Sequence, residues 1–276
     1  MSTLNDCPAG FYCPAGSTTP TPCNAGTYND QTNMKAASDC KPCPGGKYCA
    51  TAGLAAPTGL CAAGYFCTKN AISSAPALLA GFYGPCPAGS YCLVGSATGT
   101  LCPPGTYRGS VGGSTATGPT GCQNCLPGNY CSVPGQTSGA GNGLCAAGYY
   151  CPAGSKTDRP AATRCPAGSK CPAGSSTASI CSAGTYQNQI GQDNCLTCPP
   201  GYFCLTNTTD FSLNVCPIGS FCPASTSTAT GNLCPAGFYT SKTKSTAISD
   251  CIPCDPGKTC NNSAGQTATA GDCPAG

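Results

Sequence analysis

Most of the reactive side chains in this 276-residue chain are cysteines: there are 29, with no histidine and nine acids, all of them aspartate. Ten cysteine pairs share the spacing C-x5-C. They begin at Cys7, Cys43, Cys61, Cys86, Cys125, Cys145, Cys165, Cys198, Cys216 and Cys254, and follow the frame C-x-x-G-x-aromatic-C. Lys170 and Thr259 replace the aromatic residue in two copies. Sulfur at this density can ligate a metal, cycle as a redox pair, act as a nucleophile or form structural disulfides.

The spacing argues against the first three. A four-cysteine zinc site joins two C-x2-C knuckles some ~15–20 residues apart. Here "CKPC", "CQNC", "CLTC" and "CIPC" each stand alone, more than 50 residues from the next, so no metal site is expected. A thioredoxin-like pair needs a strand and a helix N-terminus to lower its thiol pKa. Each copy is followed instead by a Gly turn and another cysteine. "DPGKT" (255–259) contains Gly-Lys-Thr, yet Ile252 stands where a phosphate loop requires its first Gly. Without His or Glu the usual general bases are missing. The chain reads as a non-enzyme with no cofactor.

Structural disulfides remain, and the composition agrees with them. About one residue in ten is Cys, the level of a disulfide scaffold. Gly (38) and Pro (27) interrupt long helices and central strands, and Trp is absent. These residues cannot assemble a core sized for a compact globule of this length. So many thiols point to an oxidising compartment, extracellular or at a cell surface. "MSTLNDC" has neither the charged nor the apolar region of a signal peptide, so a removed signal or a window from a longer chain is expected. The net charge of +3 comes from scattered cations, and no basic stripe suggests nucleic acid. "APALLAG" (75–81), the longest mostly apolar stretch, is too short for a direct membrane span.

The elements that position the cysteines are repeats. Between C-x5-C copies recurs a lone Cys, then a polar stretch, then C-x-x-C: Cys23 to Cys40, Cys102 to Cys122, Cys181 to Cys195 and Cys234 to Cys251. The lone cysteines lie 79, 79 and 53 residues apart, as if the last period had lost one C-x5-C. Four cysteine-rich repeats follow, at 1–85, 86–164, 165–215 and 216–272, with the start of a truncated further repeat at 273–276. "DCPAG" occurs at 6–10 and again at 272–276, and the truncated copy accounts for the odd cysteine count. "LLAGFYGPC" (78–86) keeps the frame but has Leu78 in place of a cysteine, and reads as a decayed copy.

The Gly three residues after each frame cysteine suits a tight turn with positive φ, and the next two residues favour extended structure. Asp6, Asp39, Asp250 and Asp272 precede cysteines, a turn-like position. The expected fold class is small disulfide-rich repeats, mostly irregular with short β-hairpins and almost no helix, the tandem modules stacked into an elongated rod. Aromatic residues before the second cysteine, such as Tyr12, Tyr48, Phe66, Tyr91, Tyr130, Tyr150, Phe203 and Phe221, are expected to lie beside disulfides as a thin core. A binding stripe is the sharper alternative.

Each lone cysteine and the first of its C-x-x-C bracket a hairpin-like loop. Bonds Cys23–Cys40, Cys102–Cys122, Cys181–Cys195 and Cys234–Cys251 are therefore expected. For the block Cys198, Cys204, Cys216 and Cys222 the expectation is interleaved pairing, Cys198–Cys216 and Cys204–Cys222. Six-cysteine blocks at 43–92 and 125–171 allow 15 pairings each and stay open. Two sequons, at Asn207 and Asn261, are candidate N-glycan sites, and "STTPTP" (17–22) is a weaker candidate for O-glycans.

The stretch "CNAGTYNDQTNMKAASDCKPCPGGKYC" (23–49) resembles the cysteine-rich repeats called ephrin-receptor-like (GCC2/GCC3). It is more distantly similar to tumour-necrosis-factor-receptor modules. The resemblance covers nearly all of the chain. It implies small stapled modules stacked end to end, and it carries the lone-Cys bond onto Cys23–Cys40 and its counterparts. Proteins rich in such repeats form surface structures, including the shafts of flagellar hairs (mastigonemes). The expectation is a structural extracellular protein of a fibre, appendage or surface coat, whose partners are itself or other fibre or coat components, possibly with glycans. The alternative is an ectodomain that binds a protein or glycan ligand, for which Phe211 in "TNTTDFSLN" is the aromatic residue well outside the frame.

Overall fold

The computed structural model of the chain describes residues 6–79, 81–112, 121–260 and 264–273. Among these residues the strands are two or three residues long and the helical elements are three-residue 3-10 turns, such as Ala37–Asp39 and Phe211–Leu213. Among the described residues, eleven two-stranded sheets and fourteen disulfides make this a helix-poor, disulfide-rich, repeat-like fold. No described helix is long and apolar enough to cross a membrane.

Each cysteine frame opens one hairpin and closes the one before it. Phe11–Tyr12, after the turn at Gly10, pairs antiparallel with Thr21–Pro22, which runs directly into Cys23. Thr27–Tyr28 pairs in the same way with Lys41–Pro42 before Cys43, and Thr185–Tyr186 with Leu196–Thr197 before Cys198. The segment that reads as a decayed copy makes a small antiparallel bridge of its own, Leu79 with Tyr83, inside the loop of a larger hairpin. Its Tyr83–Pro85 is the return strand for Tyr65–Cys67. Asp272 also departs from its expected turn position: it lies in the return strand Gly271–Asp272, paired with Lys258–Thr259.

The chain divides into two compact units. One holds the described residues of Met1–Leu126, Tyr130–Gly143 and Ala153–Lys156; the other holds those of Pro127–Asn129, Leu144–Pro152 and Thr157–Gly276. Their division falls inside the second sequence repeat.

Within each unit a fixed set of backbone bonds joins a hairpin to the next. In the first, the Gly46 carbonyl accepts from Cys61 N–H (2.9 Å), Gly46 N–H donates to Cys67 O (2.7 Å) and Cys43 O accepts from Asn70 N–H (3.1 Å). In the second, the Gly168 carbonyl accepts from Cys181 N–H (2.8 Å), Gly168 N–H donates to Gln187 O (2.7 Å) and Cys165 O accepts from Gly191 N–H (2.7 Å). The last donor in each set, Asn70 or Gly191, is a left-handed residue in the loop of the following hairpin (φ 57° and 75°).

That lock explains why the frame turn is Gly. At Gly10 φ is 88°, a conformation that L side chains rarely adopt. A Cβ there would also lie 2.3 Å from the carbonyl oxygen of Gly53, in the loop two hairpins further on. Sterics and backbone conformation therefore both require Gly at this position.

The core is sulfur rather than hydrocarbon. Among the described residues the buried apolar side chains are cysteines apart from Ala71 and Pro76, while the frame aromatics are half-buried. Two rings reach the cystine of the next hairpin: Tyr48 packs against the cluster of Cys61, Cys67 and Ala71, and Phe66 against Cys86 and Cys92.

Candidate functional site

Fourteen disulfides dominate the chemistry of the described chain, and they fall into two kinds. All ten C-x5-C pairs close on themselves, from Cys7–Cys13 to Cys254–Cys260. The lone cysteines form the four longer bonds Cys23–Cys40, Cys102–Cys122, Cys181–Cys195 and Cys234–Cys251. The interleaved expectation for the third block is corrected: Cys198 bonds Cys204 and Cys216 bonds Cys222. The turn at the frame Gly brings residues six apart to Cα separations of 5.8 and 5.9 Å, within bonding range before the chain leaves for its next hairpin. The same local closure resolves the two six-cysteine blocks.

The C-x-x-C pairs are split by this pattern. Cys40 belongs to Cys23 and Cys43 to Cys49, so neighbours in sequence serve different hairpins. Among the described residues no group of three or more His, Cys, Asp or Glu is placed to hold a metal ion. The Gly-Lys-Thr of 257–259 is another frame turn, with Gly257 at φ 78° and Lys258 paired to Asp272 across the ladder. Cys273 is exposed and unbonded among the described residues.

One set of residues escapes the sequence reading. In a lone-Cys hairpin the position six residues after the cysteine, where other copies have their second Cys, is occupied by Asn29, Arg108, Gln187 or Thr240. All four are buried. Each turns its polar end to the loop of its own hairpin or to a neighbouring strand. Gln187 Nε2 donates to Asn194 O at 2.9 Å, and its Oε1 accepts from Gln189 N–H at 3.1 Å. Asn29 Oδ1 accepts from Gln31 N–H, and its Nδ2 donates to Phe11 O. Arg108 donates to Gly121 O and Gly112 O, and Thr240 Oγ1 accepts from Lys242 N–H. Aligning the copies on the first cysteine alone, and asking what replaces the second, would have exposed them.

Carboxylates tie down the same loops. Asp39 accepts from Lys35 and Ala36 N–H, both at 2.9 Å, and these bonds, that from Ala36 foremost, hold its carboxyl below the usual aspartate value. Asp250 is lowered likewise by the N–H groups of Thr246 and Ala247. The hydrogen-bonded ion pair Asp30–Lys41 (2.6 Å) lowers the aspartate and raises the lysine across the loop closed by Cys23–Cys40.

Phe211, the aromatic outside the frame, sits edge-on to two frame tyrosines, 4.8 Å from Tyr186 and 5.1 Å from Tyr202 between ring centroids. Lys244 Nζ lies 4.9 Å from the centre of the Tyr202 ring. The cluster anchors the loop that carries Asn207, which is exposed. Asn261 lies outside the described residues. No protein-family model matches the chain, and no curated protein matches it.

Proposed function

We propose that the chain is a structural extracellular protein that forms, or belongs to, a fibre, appendage or surface coat, and that it works without catalysis. The observation that carries this reading is the lock described above. Within each compact unit successive hairpins are joined by backbone bonds of this set, and each is stapled by its own disulfide. A module that stabilises itself with one covalent bond, and meets its neighbours through main-chain groups, can be repeated without a large core. The dense disulfides fit an oxidising, extracellular setting. The resemblance to ephrin-receptor-like repeats adds to this reading.

Electron microscopy of the native material tests it, with extended filaments or coat elements expected. Compact single particles alone would overturn it. Small-angle scattering gives a second reading, since a compact globule of this length has a radius of gyration near ~19 Å. The rod expectation requires a clearly larger value. A ligand-binding ectodomain predicts instead that a pull-down maps to one repeat, and the Phe211 loop is the place to look.

A further inference from the structure

We propose that Asn207 carries an N-linked glycan and that the surrounding loop is shaped to present it. The proposal rests on passage through an oxidising secretory compartment, as the disulfides require. Asn207 and Thr209, the two residues of the sequon that the transfer reaction reads, are both exposed. Asn207 Nδ2 has no hydrogen-bond partner among the described residues. The middle residue, Thr208, is the buried one, and its hydroxyl donates to Leu205 O at 2.7 Å.

The backbone of Asn207 is held in place independently of its side chain. Its φ is 62°, its N–H donates to Cys181 O at 2.9 Å, and it occupies the left-handed loop position that Gly, Ser or Lys fills in other hairpins. Asn33 and Asn70 occupy that position too, but Lys35 and Ile72 follow them where Thr209 follows Asn207. The Asn33 amide is also engaged, accepting from Cys7 N–H at 3.0 Å. The Asn207 carboxamide oxygen rests over Gly168, where a Cβ would lie 2.3 Å from it. Beside it a shallow groove of about 250 Å³, lined by Leu205, Thr206, Asp210 and Leu213, leaves room for a first sugar. Leu205 and Leu213 are 50% and 80% exposed, apolar surface that a sugar ring can cover. Phe211 and the Asp210 carboxylate, which accepts from Ser212 N–H and Oγ, fix the far side of the loop.

The modification transfers an oligosaccharide from a polyisoprenyl-diphosphate donor. Asn207 Nδ2 forms a bond to the anomeric carbon as that carbon's bond to the diphosphate oxygen breaks. The lipid diphosphate leaves with the electron pair, and one amide proton passes to solvent.

The test is secretion of the full chain from eukaryotic cells, with Ser263→Ala present throughout to silence the second sequon. Only protein with its disulfides closed is digested, and the Asn207 peptide is read by mass spectrometry. One glycan is expected, lost in Asn207→Gly and Thr209→Ala and kept in Thr209→Ser. Asn207→Gly installs the residue most hairpins already use, and Thr209→Ala leaves the backbone unchanged. Translation into microsomes reads the same peptide without requiring export. An unmodified Asn207 peptide in disulfide-intact protein, or a glycan that survives Thr209→Ala, overturns the proposal. This result is independent of whether microscopy shows fibres.

Discussion

The hairpins that open at Cys181 and Cys198 are consecutive in the chain and follow the same plan up to their sixth residue. In both, the backbone N–H at that position donates to the loop of the following hairpin, Gln187 to Thr208 O and Cys204 to Thr226 O. The side chains differ. Cys204 returns its sulfur to Cys198, whereas Gln187 reaches out to Asn194 and Gln189 and leaves Cys181 to bond Cys195. One position therefore has a constant backbone role and a variable side-chain role. A C-x5-C hairpin fills it with a half-cystine; a lone-Cys hairpin fills it with a polar group that organises its loop. Its freed cysteine is then used to close that loop.

Complete reduction erases the distinction and has the largest expected effect. With a core made almost entirely of cystine, both kinds of hairpin should lose hydrogen-exchange protection together. Protection that outlasts reduction would show that the half-buried rings suffice. Next comes the removal of one bond of each kind. Cys181→Ser with Cys195→Ser frees a loop closed across 14 residues, and Cys198→Ser with Cys204→Ser one closed across 6. Chain entropy assigns about 3 kcal/mol to the former and about 2 kcal/mol to the latter. Local opening energies from native-state exchange should keep that order, and a reversal would mean that strain or residual structure outweighs loop length.

Gln187→Ala tests the polar half of the comparison. It strips two buried hydrogen bonds while sparing every disulfide, at a cost of about 1–3 kcal/mol. Faster exchange should be confined to the 188–195 loop; an unchanged loop would mean that water replaces the amide. The smallest effect is that of acid. Asp39 and Asp250 cap loops in lone-Cys hairpins, and the folded state holds their carboxyls below the usual value. Their contribution is thus present above the unfolded aspartate pKa and is lost as pH falls through the lower folded one. Amide shifts at Thr246 and Ala247 should follow that titration, and a flat response there would mean that the carboxylate adds nothing to the loop.

The fold was legible where one residue type has one use. A Gly required by its positive φ, repeated at a fixed distance from Cys, gives away turns and short ladders. Brackets around polar stretches suggested the longer bonds, and the structure has Cys23 with Cys40 and Cys181 with Cys195. Pairing within the third block was illegible because four identical side chains carry no label, and only the turn geometry distinguishes Cys198–Cys204 from the interleaved choice. Gln187 and its counterparts hid for a different reason. They share a slot but no chemistry, being an amide, a guanidinium or a hydroxyl, so no pattern search on residue type groups them. The ring positions were visible, yet their partners were not: Tyr48 acts on the disulfide of the following hairpin, a relation set by packing between hairpins.

Because each cysteine frame ends one hairpin and begins another, the gene has a natural unit of copying. A duplication or deletion that spans one whole frame-to-frame interval leaves every surviving main-chain donor facing an acceptor of the same kind. A break elsewhere strands a half-cystine. The interval between Cys181 and Cys234 is shorter than the two before it by one C-x5-C hairpin. Such a chain can change length by whole hairpins without redesigning a single contact.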